Sequence, residues 1–504
     1  MSDNLELPLI QRARLYGQRR AIIAKEGEFA YHQLLNASGE VSSCLLDGSD
    51  DLKEMRVAFM IPPGFHYPAV QWGIWRAGGI AVPLSLFHPR PELEHAIKDA
   101  DPAVVLAHPD LESYIRPLAE DSHRRFVLTT DFPGTEPQEL PEIDVNRRAM
   151  ILYTSGTTGK PKGVVTTHRN IEFQVKSLVS AWEWSREDHI LSVLPLNHIH
   201  GIINVLTCAL WSGAACGILS KFDPEEVWAR ILEGNLTLFM AVPTIYVKLI
   251  AYWENASSKQ QREMSAACSK LRLMVSGSAA LPVHVLKKWK RISGHVLLER
   301  YGMTEIGMAL SNPLHGKRVP GYVGTPLPGI QIRLLNERRE LAEPGEQGEI
   351  QVKGEGVFLE YWRNPEATQN AFDNGWFCTG DTAVVKNGMY RILGRSSLDI
   401  IKTGGYKVSA LEIEEILRTH PDIEECAVVG VEDPVWGERV CAALVLRAGK
   451  GLTFDLLKKW SEERLAKYKI PSQICVLKGL PRNEMGKVSK PQVSQLFKNT
   501  NKLE

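Results

Sequence analysis

The chain has 504 residues, of which 44% are hydrophobic and 23% are charged, which is typical of a soluble globular protein. This length exceeds one compact core and predicts more than one domain. Lysine plus arginine and aspartate plus glutamate both number 59, so the charge balance gives no support for nucleic-acid binding.

The sequence also argues against a membrane span and against secretion. No stretch reaches the roughly 18 apolar residues of a membrane span, and the N-terminus lacks the apolar region of a signal peptide. The eight cysteines are scattered without a CxxC pair, which favours reduced thiols. We therefore predict a cytoplasmic protein, with a mitochondrial or other organelle location left open.

Short apolar runs alternate with helical patterns through the first part of the chain. The runs that predict buried strands are residues 55–62, 103–109, 126–130, 149–155, 189–196, 236–243 and 271–277. Helical patterns lie between them at 66–77, 171–182, 223–233 and 281–292. This alternation predicts parallel sheets covered by helices, with ligands at the carboxyl ends of the strands.

The pattern changes twice toward the C-terminus. Glycine-rich turns separate short strands at 329–335, 348–354 and 388–394, which predicts a β-subdomain. After Gly394 a helix (410–420), two strands (425–431 and 439–446), a helix (455–467) and a strand (472–477) predict a small α+β domain. The predicted fold is α/β, with a large N-terminal domain at 1–394 and a small C-terminal domain at 395–504.

The segment Tyr153–Gly163 combines glycines, hydroxyls and lysines directly after an apolar strand. Gly156 and Gly159 allow tight backbone turns that point N–H groups at an anion. The hydroxyl and lysine donors are Thr154, Ser155, Thr157, Thr158, Lys160 and Lys162. A polar surface turn is the alternative, but so many donors favour polyphosphate binding. The spacing is not that of a Walker A loop.

This segment resembles the phosphate loop of the superfamily of acyl-CoA synthetases, nonribosomal adenylation domains and firefly-type luciferases. Further motifs of that superfamily follow in order, so the resemblance covers nearly the whole chain. It implies ATP and coenzyme A as co-substrates and Mg²⁺ as cofactor. The remaining residues that it assigns to ATP are Gly277, Ser278, Ala279, Tyr301, Gly302, Met303, Asp381 and Arg395.

The resemblance also implies individual roles. Tyr301 would stack near adenine, Thr304 would contact a phosphate, and Glu305 would hold Mg²⁺, a cation that prefers oxygen ligands. Asp381 would bind the ribose diol, with Arg395 as a second contact. By themselves, ordinary turns and caps would explain several of these motifs, and only their joint order favours the functional interpretation.

The C-terminal domain resembles the mobile lid of the superfamily. Lys487 matches the lysine that stabilises charge on the α-phosphate during adenylation. Rotation of the domain would replace it with the loop of Gly404 and Gly405 for thioester formation, and Lys402 and Lys407 are candidates for coenzyme A phosphates. The loop after Arg395 is one residue longer than the common pattern, so the pivot residue is not assigned.

Arg300 is the main indication of the acid substrate. An arginine beside the acyl pocket can hold a second carboxylate in two hydrogen bonds, and residues 298–328 and 394–414 resemble the malonyl-CoA synthetase group. His198, and with it His200, occupies the position that lines the acyl pocket. Ser276 and Arg318 are further carboxylate candidates. A metal site at the two histidines is the alternative, but no third ligand is evident.

These patterns predict an AMP-forming ligase that joins malonate, or methylmalonate, to coenzyme A through an acyl-adenylate. His198, Thr304, Glu305 and Lys487 are the predicted catalytic residues. The alternatives are a medium-chain or aryl acyl-CoA ligase, an adenylation enzyme that loads a carrier protein, and a catalytically silent nucleotide-binding protein. Seventeen residues follow Lys487, so we expect no attached carrier domain.

Overall fold

The structure is a computed structural model and describes residues 6–121, 123–132, 134, 136–154, 161–482 and 486–500. Residues 499 and 500 are described by their backbone alone. The chain divides into two compact units. The first unit consists of Met1–Pro320, Gly324–Gln331 and Val352–Phe377. The second consists of Gly321–Val323, Ile332–Gln351 and Cys378–Glu504.

One sheet of the first unit has a parallel centre and antiparallel edges. Its strands, from one edge to the other, are Thr325–Pro326, Gly307–Ser311, Leu298–Met303, Leu273–Ser276, Leu238–Ala241, His189–Ser192, Ala215–Ile218, Arg20–Ala24 and Gly27–Ala30. The pairings from Leu298–Met303 through to Arg20–Ala24 are parallel. Ser276 and Arg300 therefore lie on neighbouring strands.

A second sheet of this unit carries the strand that precedes the predicted phosphate loop. Its order is Glu360–Tyr361, Lys162–Thr167, Arg148–Thr154, Ile80–Pro83, Arg56–Met60, Val104–Ala107 and Arg125–Leu128. Its central strands are buried apolar runs, as expected for a parallel sheet covered on both faces.

Helices cover these sheets. Their bounds are Pro8–Tyr16, Tyr31–Leu46, His66–Arg76, Arg90–Ala100, Glu112–Asp121, His168–Ala181, Cys208–Ser212, Pro224–Leu232, Pro243–Asn255, Ser258–Cys268, Val283–Ser293 and Pro365–Asn370. Their apolar faces bury large side chains such as Trp72, Trp228 and Trp289. Within the described residues, no helix combines the length and the hydropathy needed to cross a bilayer.

The second unit ends in a small α+β arrangement. Its last sheet contains Tyr406–Ser409, Ile400–Thr403, Gly437–Leu446, Ile423–Asp433 and Gln473–Leu477, and its helices are Ala410–Leu417, Phe454–Glu462 and Lys490–Thr500. The three strands predicted for the β-subdomain are Gln331–Leu335, Gly348–Lys353 and Met389–Arg395, and the additional strands Phe372–Asp373 and Trp376–Lys386 belong to the same sheet.

The predicted fold class is confirmed, and the predicted strands and helices are present within a few residues of their expected bounds. The helix predicted at 455–467 is shorter and ends at Glu462. Several elements were not predicted, among them the strands Ile80–Pro83 and Ala215–Ile218. Two others involve the predicted site residues. Residues Leu298–Ser311 form a hairpin, and His200–Thr207 form a π-helix, a rare element that often occurs at functional sites. The boundary at 394/395 stays a prediction.

Gly73 is expected to be intolerant of a side chain because two helices meet there. A Cβ at this position would stand 2.4 Å from Cγ1 of Val41 on the facing helix. Gly73→Ala should therefore lower the free energy of unfolding by about 1–3 kcal/mol through overpacking. Thermal unfolding of the variant measures this as a lower Tm.

Gly39→Ala is the matched control on the facing helix. A Cβ at Gly39 would meet only Arg76 Nη1, at an ordinary 3.6 Å, and alanine favours the helix over glycine by roughly 0.5–1 kcal/mol. An unchanged Tm for Gly73→Ala would contradict the packing argument.

Candidate active site

The predicted phosphate loop joins two antiparallel strands. Tyr153 pairs with Gly163, and Thr154 pairs with Lys162. The hydroxyl of Thr154 donates to the carbonyl of Lys162 at 3.5 Å, and the Lys162 ammonium lies 4.8 Å from the ring centroid of Tyr361. The central predicted residues, Ser155, Gly156, Thr157, Thr158, Gly159 and Lys160, lie outside the described residues.

Glu305 is a buried carboxylate with a defined orientation. It follows the strand Leu298–Met303, and only 6% of it is exposed. The hydroxyl of Tyr361 donates to its Oε1 at 3.0 Å, and the backbone N–H of Phe358 donates to its carbonyl at 2.7 Å. Thr304, the neighbouring predicted residue, is half-buried.

The surroundings of Glu305 fit a magnesium ligand. Its carboxylate is a hard oxygen donor, and a hydrogen bond from an outer residue such as Tyr361 is what orients metal-binding carboxylates. Among the described residues, no group of three or more His, Cys, Asp or Glu side chains could hold a metal ion. A magnesium ion at Glu305 would therefore take its other ligands from phosphates and water.

Arg300 is a buried arginine that forms no ion pair with the acidic side chains of the described residues. It is 4% exposed, and this burial lowers the pKa of Arg300 to about 9. Its Nη2 donates to the hydroxyl of Ser278 at 3.3 Å, and its Nε has no hydrogen-bond partner among the described residues. Burying a cation without an anion is costly, so this environment favours an acidic ligand.

Gly277 and Ser278 shape the space around Arg300. A Cβ at Gly277 would stand 2.5 Å from both Nε and Cζ of Arg300, so only glycine allows the guanidinium this position. Ser278 has a left-handed backbone (φ 67°), which is uncommon for a residue with a side chain. Its hydroxyl also lies 3.1 Å from Nδ1 of His200, and thus links the π-helix to Arg300.

The other predicted pocket residues differ in their surroundings. Ser276 is buried, and its hydroxyl has no partner among the described side chains and backbone groups. His198 is half-buried with Nε2 at 3.5 Å from the amide of Asn197. Arg318 donates to the carbonyls of Val296, Pro313 and Leu314 at 2.5, 3.0 and 2.7 Å. Three backbone acceptors give Arg318 a structural role. Arg300 is therefore the better candidate for the contact with the substrate carboxylate.

Tyr301, Gly302 and Met303 are half-buried residues of the strand Leu298–Met303, whereas Ala279 is exposed. Tyr301, Gly302 and Met303 belong to the hairpin in which Tyr301 pairs with Leu310. The adenine contacts that the resemblance implies for them stay predictions.

In the second unit, Asp381 and Arg395 face each other on adjacent antiparallel strands. Nε of Arg395 donates to Oδ1 of Asp381 at 3.0 Å. Asp381 is 9% exposed, and its backbone N–H donates to the hydroxyl of Thr379 at 3.1 Å. The resemblance implies a ribose contact for Asp381 and a ribose or phosphate contact for Arg395, and the structure brings the two side chains together.

The predicted coenzyme A residues lie on one hairpin. Gly404 and Gly405 turn the chain with φ of 54° and 82°, and Lys402 and Lys407 pair across the two strands. Lys407 forms an ion pair with Glu337, and its hydrogen bond lowers the pKa of that carboxyl. Both side chains are exposed, so this weak pair leaves the ammonium accessible to another anion, and the phosphate contact of Lys407 stays a prediction. Lys487 is exposed.

The sequence did not predict the contact of Tyr361 with Glu305 or the link between His200 and Ser278. Both depend on contacts between residues far apart in the chain, at sequence separations of 56 and 78. The HxH pair at 198–200 was a signal for His200, but not for its partner.

This arrangement and the fold define an adenylate-binding enzyme. Residues 9–362 match the family model "AMP-binding enzyme", and residues 412–487 match the model of its C-terminal domain. The chain belongs to the AMP-binding enzyme family.

Individual relatives cover nearly the whole chain. The mitochondrial malonate–CoA ligase ACSF3 of Xenopus laevis is 45% identical over 97% of this chain and 91% of that protein. The Homo sapiens ACSF3 is also 45% identical, over 97% and 92%. The ATP-bound crystal structure of MatB from Rhodopseudomonas palustris has a TM-score of 0.90 at 32% identity, covering 99% of this chain and 100% of that chain.

Tyr361→Phe tests the support of Glu305. The change removes the hydroxyl that donates to a buried carboxylate, so the free energy of unfolding should fall by about 1–3 kcal/mol. Thermal unfolding measures the loss.

Tyr114→Phe is the matched control, because its hydroxyl donates to the carbonyl of His88 at an exposed position. It should change stability by less than about 0.5 kcal/mol. If the two substitutions lower the free energy of unfolding equally, the hydrogen bond to Glu305 contributes no more than an exposed hydrogen bond.

Proposed function

We propose that this protein joins malonate to coenzyme A with ATP, through a malonyl-adenylate, and releases AMP and pyrophosphate. The observation that carries this proposal is the buried guanidinium of Arg300, which lies without an acidic partner among the described residues. The names of the relatives, malonate–CoA ligase, support it. Methylmalonate is a second acceptable acid, since one extra methyl changes specificity by only about 1–3 kcal/mol.

In the first half-reaction, one carboxylate of malonate attacks the α-phosphorus of ATP and pyrophosphate leaves. We assign the distal carboxylate to Arg300, which would hold it through two charge-assisted hydrogen bonds. Ser278 keeps the guanidinium in place, and His200 fixes Ser278 in turn. His198 and Ser276 are the proposed neighbours of the acid, and Thr304 is the proposed phosphate contact.

Lys487 would stabilise the negative charge that builds on the α-phosphate oxygens as the acid attacks. Its exposed position suits a group that meets a substrate from solvent. The proposed Mg²⁺, with Glu305 as ligand, would supply neutralisation of phosphate charge when bound. The ribose diol is assigned to Asp381, whose orientation Arg395 maintains through the bond described above.

In the second half-reaction, the thiolate of coenzyme A attacks the acyl carbon and AMP leaves. We assign Gly404 and Gly405 to the thiol approach, because residues without side chains allow a chain of atoms to pass close to the backbone. Lys402 is the proposed phosphate contact. We retain residues 395–504 as the mobile domain, whose rotation would exchange Lys487 for this hairpin.

The proposed location is the cytoplasm or an organelle. The two ACSF3 proteins carry the word mitochondrial in their names, which supports the organelle. Imaging of the tagged full-length protein together with a mitochondrial marker decides between them.

Arg300→Leu tests the substrate assignment. The variant should lose about 100-fold or more in kcat/KM for malonate, because removing one partner of a buried charged hydrogen bond costs roughly 2–5 kcal/mol. AMP release measured with malonate, methylmalonate, succinate, acetate, octanoate and 4-coumarate gives the specificity profile.

Two results make this experiment decisive. Monocarboxylates should retain their rates in Arg300→Leu, which shows that the ATP chemistry is intact, and Arg300→Lys should recover part of the malonate activity through charge alone. If the wild-type enzyme prefers octanoate or 4-coumarate, the malonate proposal fails and the adenylating function stands.

Lys487→Ala tests the proposed adenylation lysine. Exchange of labelled pyrophosphate into ATP, with malonate present, should fall by roughly 100-fold or more because the transition-state charge loses its cation. Thioester formation from supplied malonyl-adenylate should be retained.

Lys498→Ala is the control, since this lysine is exposed on the following helix. If Lys487→Ala loses both half-reactions to the same degree, the proposed exchange between Lys487 and the hairpin of Gly404 and Gly405 is contradicted.

A further inference from the structure

The turn that carries Lys487 is closed at its base. The backbone N–H of Ser489 donates to the carbonyl of Pro481 at 2.8 Å, and Arg482 pairs with Val488 in an isolated β-bridge. The guanidinium of Arg482 donates to the carbonyl of Gly486 at 2.7 Å and forms an ion pair with Glu425 at 2.8 Å. The residue before Lys487 is thus tied to the neighbouring strand Ile423–Asp433.

Three residues beyond Lys487, Lys490 lies between two carboxylates. Its Nζ is 2.7 Å from Oδ1 of Asp399 and 2.8 Å from Oε1 of Glu414. The side chains of Lys490 and Glu414 are only 12% and 4% exposed. Burial acts to lower the pKa of Lys490, but Glu414 and Asp399 raise it, so the ammonium stays charged.

Asp399 connects Lys490 to the segment that begins at Arg395. Its Oδ2 accepts from the backbone N–H of Arg395 at 2.9 Å, and its carbonyl accepts from Ala410 at 2.7 Å. Arg395 in turn binds Asp381. One lysine therefore joins the segment of Lys487 to the segment of the proposed ribose contact, within a single unit of the structure.

The helix Lys490–Thr500 does not need this ion pair in order to stay docked. Val493 and Phe497 are 0% and 1% exposed, and they pack in an apolar cluster with Val429, Leu480 and other residues of the unit. The cluster holds the middle of the helix. Val488, next to Lys487, also packs against this cluster, and Lys490 adds the buried charged contact at the first residue of the helix.

We propose that Lys490 is a positioning residue for adenylation, which fixes the segment of Lys487 to Asp399 and thereby to the segment of Arg395. This proposal rests on the proposed function of Lys487. An exposed lysine has many conformations, and a displacement of about 1 Å at a reacting group can cost about 100-fold in rate. A buried ion pair with two carboxylates is a strong geometric constraint on the neighbouring backbone.

Lys490→Met tests the proposal with the two half-reactions measured separately. Malonate-dependent pyrophosphate exchange should lose about tenfold or more in kcat, whereas the KM for ATP should change by less than about twofold. Thioester formation from supplied malonyl-adenylate should also stay within about twofold. Lys490→Arg should restore exchange because it keeps the charge, and Lys498→Met, at an exposed position of the same helix, should behave as wild type.

The single variant leaves the mostly buried carboxylate of Asp399 without its cation and is at risk of misfolding. The double variant Lys490→Met with Asp399→Asn removes one charge of each sign and leaves Glu414 paired with Arg418, 2.9 Å away. It should fold and show the same selective loss of exchange. Equal loss of both half-reactions together with a lower Tm, or unchanged exchange, overturns the proposal.

The failure of this proposal is distinguishable from the failure of the proposed function. The function assigned to Lys487 is wrong if the wild-type protein shows no malonate-dependent exchange of pyrophosphate into ATP. It is also wrong if Lys487→Ala catalyses this exchange at the wild-type rate. If those two behave as expected and the variants at Lys490 exchange like wild type, only the positioning role is wrong.

Discussion

The buried cation of Arg300 is the constraint around which Gly277, Ser278 and His200 are arranged. Removing a guanidinium from water costs on the order of several kcal/mol, and one hydrogen bond to Ser278 does not offset that cost. The fold tolerates it through Gly277, where no side chain occupies the space of the guanidinium, and through the left-handed Ser278. A site that carries such a cost without an internal anion is built for an anionic ligand.

Burial and the presence of a protein partner also distinguish the other basic residues, both those that the sequence proposed as substrate contacts and Lys490. Arg318 is satisfied by three carbonyls, Lys407 by Glu337, and Lys490 by two carboxylates. Arg318 and Lys490 thus have protein partners in place, whereas the Lys407–Glu337 pair is exposed. Arg300 is buried like Lys490 but has no acidic partner among the described residues, and for that reason we propose it as the contact of an acidic substrate. Charge alone does not distinguish these basic residues, whereas burial combined with partners does.

The sequence predicted the elements well because apolar runs of four to six residues are strong signals for buried strands, as at Arg56–Met60 and Leu273–Ser276. It predicted that Asp381 and Arg395 contact the nucleotide, and the structure places the two residues opposite each other on adjacent strands, while their nucleotide contacts stay predictions. It did not predict the π-helix at His200–Thr207, because no local pattern encodes that geometry. The contacts of His200 and Tyr361 were also not predicted, because they depend on tertiary packing between distant segments.

The second unit shows how an exposed catalytic candidate acquires a defined place. Lys487 is exposed, and Arg482 and Lys490 fix the backbone on either side of it. Because Asp399 receives both Lys490 and the backbone of Arg395, any movement of that segment is transmitted to the first turn of the last helix. The proposed rotation, which would present Lys487 in one half-reaction and remove it in the next, would gain from this coupling because segments joined by buried charges move together. The ionic contacts of the second unit thus serve placement, whereas the apolar cluster of Val493 and Phe497 serves stability.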